Sequence, residues 1–469
     1  MRPGARVYLI AVCGTGMSAL AGLLKERGCV VAGSDINSYS PVKELLEELQ
    51  VPVKLEYDVK DLQKFQPDYV VIGNFVRADN PQAQFVLKTG IPYGSLPSCL
   101  EDFFLQETEN LVVVGTHGKS TTATCLAFLL NELELSPSFF IGAVAKNFRR
   151  SFQVGEGRHF VLEGDEYDTA FFDKESKFLH YRPKVGIWTS LEFDHADIFS
   201  SMDRIEQMFL KFVELIPSDG RLIYCRDSER IHELVEGSAP SVPTWSYGFH
   251  PGADFCLRSF EQSAEGMSFV LGDQSFSSSQ MGSFNALNFS AALLAAHSTG
   301  LSFESLSQAL KRFEGLKRRQ ERVYQTSKVE VIDDFAHHPT AVREVIQGFR
   351  LRSPEAKIMV YFEPRSNTTR RAIFQTEFVR AFEKADFVFL PEVFRKEVLD
   401  PEDCLDVPRL VSDLKLSGRQ AYGPMTKAEM LEETKRQILK LQDPIIILVL
   451  SNGSFDGLTK DLISLTMKS

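Results

Sequence analysis

The chain has 469 residues, of which 43% are hydrophobic and 25% charged, a composition typical of soluble globular proteins with large cores. Its formal net charge of −11 argues against a nucleic-acid-binding surface as the main function. No apolar window approaches the about 20 residues of a transmembrane helix, no signal-peptide pattern begins the chain, and the seven cysteines form no CxxC pair, so we expect a cytoplasmic protein with reduced thiols.

Residues 1–107 alternate strand-like and helix-like segments, beginning with a predicted strand at Val7–Val12 and a predicted helix at Ser18–Lys25. Between them, Gly14–Ala19 fits the G-x-G-x-x-A pattern of dinucleotide-binding turns. Asp35 follows the next predicted strand, where such units bind a ribose. Taken by itself, this domain is compatible with nicotinamide binding, or with a tight helix–strand turn that binds nothing.

A phosphate-binding loop is predicted near residue 115. The apolar strand Leu111–Val114 leads into two glycines, a lysine and a serine, and the helix-compatible run Ala123–Leu130 follows. Glycines let backbone N–H groups turn toward an anion, lysine adds a charge, and the hydroxyl can hold Mg²⁺. Position 113 is valine, so the Walker pattern fails by one glycine. The alternative is a glycine-bearing turn with a surface lysine.

Two acidic runs follow predicted strands in the same part of the chain. Glu163–Asp168 comes directly after Phe160–Leu162, and Glu192–Asp197 follows Val185–Leu191. Carboxylates at strand ends beside a phosphate loop suit Mg²⁺, which prefers oxygen ligands. Either run alone is equally compatible with a solvated loop, but together with the phosphate loop they predict a metal–nucleotide site.

Three further segments carry candidate binding residues. Phe284–Asn288 enters a predicted helix, where a purine can stack on the ring and bond to an amide, or where the segment only caps the helix. Asp333–Thr340 contains two adjacent histidines, but no cysteine and no H-x-x-H spacing supports zinc. Glu363–Thr368 combines an arginine with hydroxyl and amide neighbours, which suits a carboxylate ligand or a capped helix start.

A charged break at Lys317–Arg322 separates the last third of the chain, where strand and helix patterns again alternate. We therefore predict an α/β protein of three domains. They are an N-terminal Rossmann-like domain (1–107), a central P-loop-type α/β domain (108–315), and a C-terminal Rossmann-like α/β domain (316–469).

Taken together, the motifs resemble the Mur ligases, ATP-dependent amide-forming enzymes of peptidoglycan metabolism, over nearly the whole chain. The resemblance rests on an ordered set: Gly115–Thr121, the acidic run ending at Glu166, Asp194-His195-x-Asp197, Asn285-x-x-Asn288 and Asp333–Thr340. Other segments are most similar to the branch that joins UDP-N-acetylmuramate to the tripeptide L-alanyl-γ-D-glutamyl-meso-diaminopimelate in peptidoglycan recycling. They are Glu166–Phe178, Glu192–Phe199, Glu363–Thr368 and Ser451–Gly453.

The resemblance implies that ATP and Mg²⁺ bind in the central domain. Lys119 would bind the β- and γ-phosphates, Ser120 and Glu166 one Mg²⁺, and His195 a second. The ATP site would comprise Gly115, Thr116, His117, Gly118, Lys119, Ser120, Thr121, Phe284, Asn285, Asn288, Arg318 and Asp334. His337 and His338 are expected near the reacting centre, without an assigned proton-transfer role. Phe209 stands where several Mur ligases have a carbamylated lysine, so no carbamate is expected.

The resemblance also implies the other two substrate sites. UDP-N-acetylmuramate is expected in the first domain and the peptide in the third. The UDP-substrate set is Gly14, Thr15, Gly16, Met17, Ser18, Asp35, Asn74 and Asn147, and the peptide set is Arg365, Ser366, Asn367 and Thr368. We expect no nucleic-acid or membrane partner, and a monomer or weak homo-oligomer. The alternatives are a ligase that uses L-alanine, an NAD(P)-dependent oxidoreductase, and a nucleotide sensor without catalysis.

Overall fold

A computed structural model describes residues 2–192 and 202–467. These residues form two compact units. The first comprises residues 2–192, 202–257 and 287–313, and the second comprises residues 258–286 and 314–467. Within the described ranges, no helix is both long enough and apolar enough to cross a membrane.

The first unit begins with a parallel five-stranded sheet of order β3-β2-β1-β4-β5. Its strands are β1 (Arg6–Ile10), β2 (Val30–Ser34), β3 (Val53–Lys54), β4 (Tyr69–Ile72) and β5 (Tyr93–Gly94). Its helices are α1 (Thr15–Glu26), α2 (Val42–Glu48), α3 (Val59–Phe65), α4 (Pro81–Thr89) and α5 (Leu96–Phe103). The central strands are apolar on both faces, as expected for a parallel sheet covered by helices.

The strands that this unit contributes to a second sheet have the order β8-β7-β9-β6-β12-β13-β14-β15, and they are parallel except for the β7–β8 pair. Strand β15 continues into the second unit from residue 258. The strands are β6 (Glu109–Val114), β7 (Ser138–Phe140), β8 (Phe152–Gln153), β9 (His159–Glu163), β12 (Pro183–Trp188), β13 (Arg221–Cys225), β14 (Thr244–Gly248) and β15 (Phe255–Gln262), with a separate hairpin of β10 (Asp168–Ala170) and β11 (Asp173–Ser176). The helices are α6 (Lys119–Glu132), α7 (Met202–Glu214), α8 (Glu229–Ser238), α9 (Ser283–His297) and α10 (Phe303–Leu310). Strand β6 lies between β9 and β12, so its carboxyl end opens at the middle of the sheet.

The second unit contains the antiparallel hairpin of β16 (Met267–Leu271) and β17 (Gln274–Ser278) and a six-stranded sheet of order β18-β19-β23-β20-β21-β22. All neighbours in that sheet are parallel except β18 and β19. The strands are β18 (Glu321–Gln325), β19 (Val329–Asp334), β20 (Lys357–Phe362), β21 (Phe387–Phe389), β22 (Gln420–Tyr422) and β23 (Ile445–Leu450). The helices are α11 (Pro339–Arg352), α12 (Gln375–Ala381), α13 (Val407–Leu416), α14 (Lys427–Lys440) and α15 (Leu458–Thr466).

The predicted α/β organisation is confirmed, and the differences lie at element ends. Strand β1 stops before the predicted end at Val12, because Ala11 has a φ of +66° and turns the chain out of the sheet. Helix α6 begins at Lys119 rather than Ala123, directly after Gly118, whose φ is +82°. The domain limits at 107 and 315 remain predictions.

Helix α1, which follows strand β1 of the first sheet, packs on the β7–β8 hairpin at the edge of the second sheet. A Cβ on Gly22 would lie 2.0 Å from Cζ of Phe152, a ring that is itself buried. The next turn of α1 carries Glu26, which accepts hydrogen bonds from Arg150 Nη1 and Val154 N, each at 2.7 Å. The contact therefore requires glycine at position 22 because of close approach, although its helical backbone would accept alanine.

We expect Gly22→Ala to destabilise the first unit by about 1–3 kcal/mol, because the new methyl group must displace a buried ring. Gly237→Ala is the matched control, since a Cβ on this helical glycine meets nothing within 4 Å, and we expect it to be neutral or stabilising by up to about 1 kcal/mol. Trp188 and Trp245 both lie in the first unit, so urea unfolding followed by tryptophan fluorescence reports on it. Equal midpoints for the two variants would contradict the packing account.

Candidate active site

The predicted phosphate loop lies between β6 and α6, and its two glycines are required by close packing. Gly115 has a φ of +134°, and a Cβ there would lie 2.4 Å from Thr189 Oγ1. At Gly118, whose φ is +82°, a Cβ would lie 2.2 Å from Asn288 Oδ1. A larger residue at either position would be strained and would clash. The loop is therefore fitted between the end of β12 and helix α9, which brings the predicted adenine residue Asn288 beside it.

Lys119, at the start of α6, forms a buried ion pair. Its Nζ lies 2.9 Å from Glu166 Oε2 and donates to Gly115 O at 2.6 Å, and the side chains of Lys119 and Glu166 are 13% and 3% exposed. Burial lowers the pKa of Lys119, but the charge and hydrogen bond of Glu166, with help from Asp165 and Glu163, hold it above its ordinary value. The ammonium is therefore charged and held in place by the acidic run at the end of β9.

Ser120 follows Lys119 at the start of α6, and its partner is Glu163. We call Lys119, Ser120 and their partners Glu166 and Glu163 the cradle. The serine hydroxyl donates to Glu163 Oε1 at 2.7 Å, and Gly142 N donates to the other carboxylate oxygen at 2.7 Å. Sequence analysis placed Glu166 beside Ser120 and did not select Glu163. The signal was present, since Glu163 opens the same acidic run at the end of a strand that neighbours β6.

The end of β12 supports the loop from the other side. His117 N donates to Ser190 Oγ at 2.7 Å, and Thr189 Oγ1 donates to His117 O at 2.6 Å. His117 Nε2 lies 3.2 Å from Glu192 Oε2, and Glu192 N donates to Thr116 Oγ1 at 3.0 Å. These contacts fix the backbone of the loop. They also bring Glu192 to the loop, a carboxylate of the second predicted acidic run that had no individual role in the predicted site.

The predicted metal ligand His195 lies outside the described residues. The other groups suit a hard divalent cation, because the Ser120 hydroxyl and the carboxylates of Glu163, Glu166 and Asp165 are all oxygen donors of the kind Mg²⁺ prefers. Phe209, at the position of the carbamylated lysine, is buried and stacks on Trp188 with ring centroids 5.0 Å apart. It belongs to the apolar core of the unit.

In the first sheet, the glycine-rich turn joins β1 to α1. Gly14 is the N-cap of α1 and no side-chain hydrogen bond caps the helix, an arrangement that is also found where helix N-termini bind anions. Asp35 braces this turn, because its Oδ2 accepts from Cys13 N at 2.9 Å and its Oδ1 from Ile36 N at 2.7 Å. Ser18 Oγ donates to Thr15 O at 3.0 Å. Asp35, which the resemblance places in the UDP-substrate set, therefore positions the glycine-rich turn.

The remaining predicted residues of this site lie on different loops. Gly16 lies against Leu96, and Met17 is buried behind the turn, whereas Thr15 is exposed. Asn74 follows β4, so it lies at the same sheet edge as the Gly14 turn. Asn147 lies between β7 and β8 of the second sheet and donates to the backbone oxygen of Arg312 at 3.1 Å.

The second unit carries the predicted ATP residue Asp334 at the end of β19. Its carboxylate is buried and accepts from Gln320 N at 2.6 Å and from Ala336 N at 2.7 Å. Burial raises the pKa of Asp334, although Arg319 and the two backbone hydrogen bonds oppose that shift. Gln320 also accepts from Asn285 Nδ2 at 3.3 Å, which connects two predicted ATP residues within this unit.

Arg318 and the adjacent histidines lie around the same strand end. Arg318 donates to Ser451 O and Gly453 O, each at 2.6 Å. His337 Nδ1 lies 3.0 Å from the oxygen of Phe335. His338 is buried and caps α11, with its Nδ1 accepting from the backbone N–H of residue 340 at 3.4 Å. Phe284 packs partly buried against the core of the unit.

The predicted peptide-binding segment follows β20, and contacts with other loops of the second unit hold it in place. The Arg365 guanidinium lies 3.9 Å from the ring centroid of Phe394, and its Nη1 lies 3.2 Å from Glu363 Oε1. A Cβ on Gly453 would lie 2.3 Å from Arg365 Nε, so the arginine side chain lies directly against this glycine. Glu363, which sequence analysis did not select, is 6% exposed and also accepts from Ser451 Oγ at 2.5 Å.

The neighbouring residues of this segment form a tight turn. Ser366 Oγ accepts from Thr369 N at 3.1 Å, as expected for a capped turn, and Thr368 is buried. Asn367 is exposed, and its Oδ1 accepts from Arg370 Nη2 at 2.8 Å. Ser366 therefore caps a turn, and not the start of a helix that sequence analysis offered as the alternative.

Three family models match consecutive parts of the chain. Residues 6–108 match the Mur ligase family catalytic domain, residues 113–296 the Mur ligase middle domain, and residues 318–453 the Mur ligase glutamate ligase domain. The chain is 35% identical over 467 residues to the UDP-N-acetylmuramate–L-alanyl-gamma-D-glutamyl-meso-2,6-diaminoheptandioate ligase of Escherichia coli, covering 98% of this chain and 97% of that protein.

Two solved structures have the same fold over nearly their full lengths. A murein peptide ligase from Psychrobacter arcticus superposes with a TM-score of 0.70 at 28% identity, with 98% of both chains covered. The UDP-N-acetylmuramate-alanine ligase from Thermotoga maritima superposes with a TM-score of 0.79 at 22% identity, with 99% of both chains covered. The second likeness concerns the fold alone.

We expect Glu166→Gln to lower the pKa of Lys119, because the desolvation of the buried ammonium remains while its main stabilising charge is removed. The pH dependence of reductive methylation at Lys119, read by mass spectrometry, measures this shift. Glu192→Gln is the matched control, since it removes a carboxylate that contacts His117 on the same loop. An unchanged labelling profile in Glu166→Gln would contradict the ion-pair account.

Proposed function

The chain belongs to the Mur ligase family, and we propose that it joins UDP-N-acetylmuramate to L-alanyl-γ-D-glutamyl-meso-diaminopimelate at the expense of ATP. The observation that carries this proposal is the cradle at the start of α6. There, Lys119 and Ser120 are each held by a carboxylate from the end of β9. Such a cradle supports phosphoryl transfer, and the Gly14 turn is then assigned to a nucleotide sugar rather than to a nicotinamide.

ATP binding would exchange partners inside the cradle. The positive charge of Lys119 is balanced by Glu166. The β- and γ-phosphates offer Lys119 a stronger set of charged acceptors, together with the N-terminal N–H groups of α6. Glu166 and Glu163 then lie beside the phosphates. When Mg²⁺ is held by these carboxylates and the Ser120 hydroxyl, it neutralises charge on the transferring phosphoryl group.

The proposed reaction has two chemical steps. The lactyl carboxylate of UDP-N-acetylmuramate attacks the γ-phosphorus of ATP. The bond from that phosphorus to ADP breaks, so that ADP leaves and an acyl phosphate is formed. The free α-amine of the peptide then attacks the acyl carbon, and inorganic phosphate leaves as the amide forms. Activation is required because a carboxylate is too poor an electrophile for an amine. Lys119 stabilises the phosphoryl oxygens throughout the first step.

The peptide branch is supported by sequence similarity and by the Arg365 segment. The chain is 35% identical to a tripeptide ligase over nearly its whole length. Arg365 is oriented by Glu363 and Phe394, and its planar guanidinium suits a substrate carboxylate. We therefore assign Arg365, with Ser366, Asn367 and Thr368, to the peptide, and Gly14–Ser18, Asp35, Asn74 and Asn147 to UDP-N-acetylmuramate.

The first test compares two amines. With ATP, Mg²⁺ and UDP-N-acetylmuramate, we expect phosphate release to depend on the tripeptide and to be at least about tenfold slower at equal concentration with L-alanine, which offers Arg365 no distal carboxylate. Coupled phosphate detection and mass spectrometry of the product measure this. Preference for L-alanine would assign the chain to the other branch. NAD(P)-dependent chemistry without ATP turnover would overturn the proposal.

The second test removes the cradle ammonium. We expect Lys119→Ala to lower ADP formation by about 100-fold or more, because a preorganised charge is lost where negative charge gathers in the transition state. Lys311→Ala is the control, since Lys311 is exposed on another part of the first unit. The measurement is ADP formation in the complete reaction. Near-normal turnover of Lys119→Ala would refute the role of the cradle.

A further inference from the structure

The hairpin β10–β11 begins directly after the cradle carboxylate Glu166 and returns to it. Strand β11 ends at Ser176, and a short 3-10 helix at Lys177–His180 follows. Ser176 Oγ donates to Glu166 O at 2.8 Å, and the backbone N–H of Lys177 donates to Tyr167 O at 3.2 Å. The end of the hairpin therefore holds the backbone of the acidic run on both sides of the residue that pairs with the cradle ammonium.

The side chain of Lys177 forms an ion pair with Asp165, the carboxylate next to Glu166. Its Nζ lies 2.6 Å from Asp165 Oδ2, and the two side chains are 19% and 36% exposed. Asp165 Oδ1 accepts from the backbone N–H of Tyr167 at 3.3 Å. In the part of the chain that the structure describes, Lys177 is the one ion-pair partner of Asp165. The ammonium therefore both neutralises and orients this carboxylate.

Asp165 lies within electrostatic reach of the cradle. Burial lowers the pKa of Lys119, whereas Glu166 and, more weakly, Asp165 raise it. Asp165 also has the oxygen donors that Mg²⁺ prefers. Without its own partner, Asp165 would compete with Glu166 for the ammonium of Lys119. It would also compete with Glu163 for a cation. A third unpaired carboxylate beside the phosphates would repel them.

The backbone of Lys177 is fixed by its neighbours. Phe178 is buried and stacks on Phe209, with ring centroids 5.6 Å apart and an angle of 17° between the ring planes. At the other end of the 3-10 helix, His180 Nδ1 lies 3.4 Å from Glu101 Oε2 of α5. Because these contacts already fix the chain, Lys177 loses little further freedom when it pairs with Asp165.

The turn of the hairpin is anchored as well. Phe171 packs against the apolar core of the first sheet, and the ring of Phe172 meets Tyr93 of β5 edge-on, with centroids 5.5 Å apart. Aromatic contacts at the turn and the ion pair at the open end therefore hold the hairpin at both ends. This arrangement makes Lys177 a fixed point beside the cradle.

Resting on the proposed function, we propose that Lys177 is a positioning residue of the cradle. It pairs with Asp165 and so keeps that carboxylate away from Lys119 and from the metal position. Glu166 and Glu163 are then left as the carboxylates that serve Lys119 and Ser120. Lys177 acts through Asp165 and takes no part in bond formation.

The test measures two binding equilibria that a released negative charge moves in opposite directions. Isothermal titration calorimetry in EDTA gives the Kd of ATP, and electron paramagnetic resonance of free Mn²⁺ gives the Kd of that cation in the absence of nucleotide. In Lys177→Met, we expect the Kd of ATP to rise about tenfold and the Kd of Mn²⁺ to fall about tenfold, because one full charge is released close to both positions.

Two further variants are controls for this measurement. Lys177→Arg keeps a cation that can pair with Asp165, so we expect it to retain both native Kd values within about twofold. Lys174→Met is the matched control, because Lys174 Nζ lies 2.7 Å from Asp168 Oδ2 in the same hairpin but its side chain is 69% exposed. We expect both Kd values to be unchanged in this variant.

The variant Asp165→Asn tests the same ion pair from the other side, and it does not depend on the stability of Lys177→Met. It leaves the ammonium of Lys177 unbalanced, so we expect the Kd of ATP to fall and the Kd of Mn²⁺ to rise. Combining Lys177→Met with Asp165→Asn should return both Kd values close to native, because residues that act as one unit are not additive.

Three results would overturn the proposal. Weaker binding of both ATP and Mn²⁺ in Lys177→Met would show a general structural role. Unchanged binding of both, or a double variant that behaves like Lys177→Met, would show that the lysine does not act through Asp165. No measurement here uses a peptide, so a preference for L-alanine in ligation would refute the proposed amine and leave this inference standing. Absence of ATP binding to the native protein would refute both.

Discussion

A buried ammonium and a buried carboxylate face each other where helix α6 begins, and neither charge would be stable there alone. Removing one partner of such a pair leaves an uncompensated charge in a poorly hydrated position. Lys119 and Glu166 therefore stabilise each other's charge in the cradle. Beside them, the neutral hydroxyl of Ser120 donates a hydrogen bond to the carboxylate of Glu163. The loop glycines, the end of β12 and the Asn288 side chain hold these four groups at one place.

The sequence was most informative where chemistry and secondary structure coincide over a few residues. Apolar runs predicted strands such as β6 and β9, and the glycine-rich and acidic segments that follow these strands were found where they were predicted. Helix starts were less accurate. The reason is physical, since α6 begins with the turn set by Gly118, which an apolar pattern does not record.

Pairings between distant segments could not be predicted from one sequence. Within a single acidic run, Glu166 pairs with Lys119 while Glu163 pairs with Ser120, and this choice depends on the register of β9 against β6. The orientation of Arg365 similarly depends on Phe394, which is far away in sequence. The family resemblance predicted the roles of individual residues, whereas the structure showed the hydrogen bonds and ion pairs that hold their side chains in place.

The fold does not decide which amine this ligase uses, because a solved alanine ligase superposes with a TM-score of 0.79 and a murein peptide ligase with 0.70. The local chemistry of the second unit favours a peptide, since Arg365 contacts Glu363 and Phe394, which line a cavity of about 520 Å³. The central claim is that the cradle activates the lactyl carboxylate as an acyl phosphate for a peptide amine. Its most direct test is a reaction with UDP-N-acetylmuramate in which both oxygens of the lactyl carboxylate are oxygen-18. We predict that, with the tripeptide present, each released phosphate carries one labelled oxygen. Amide formation with unlabelled phosphate would contradict the account.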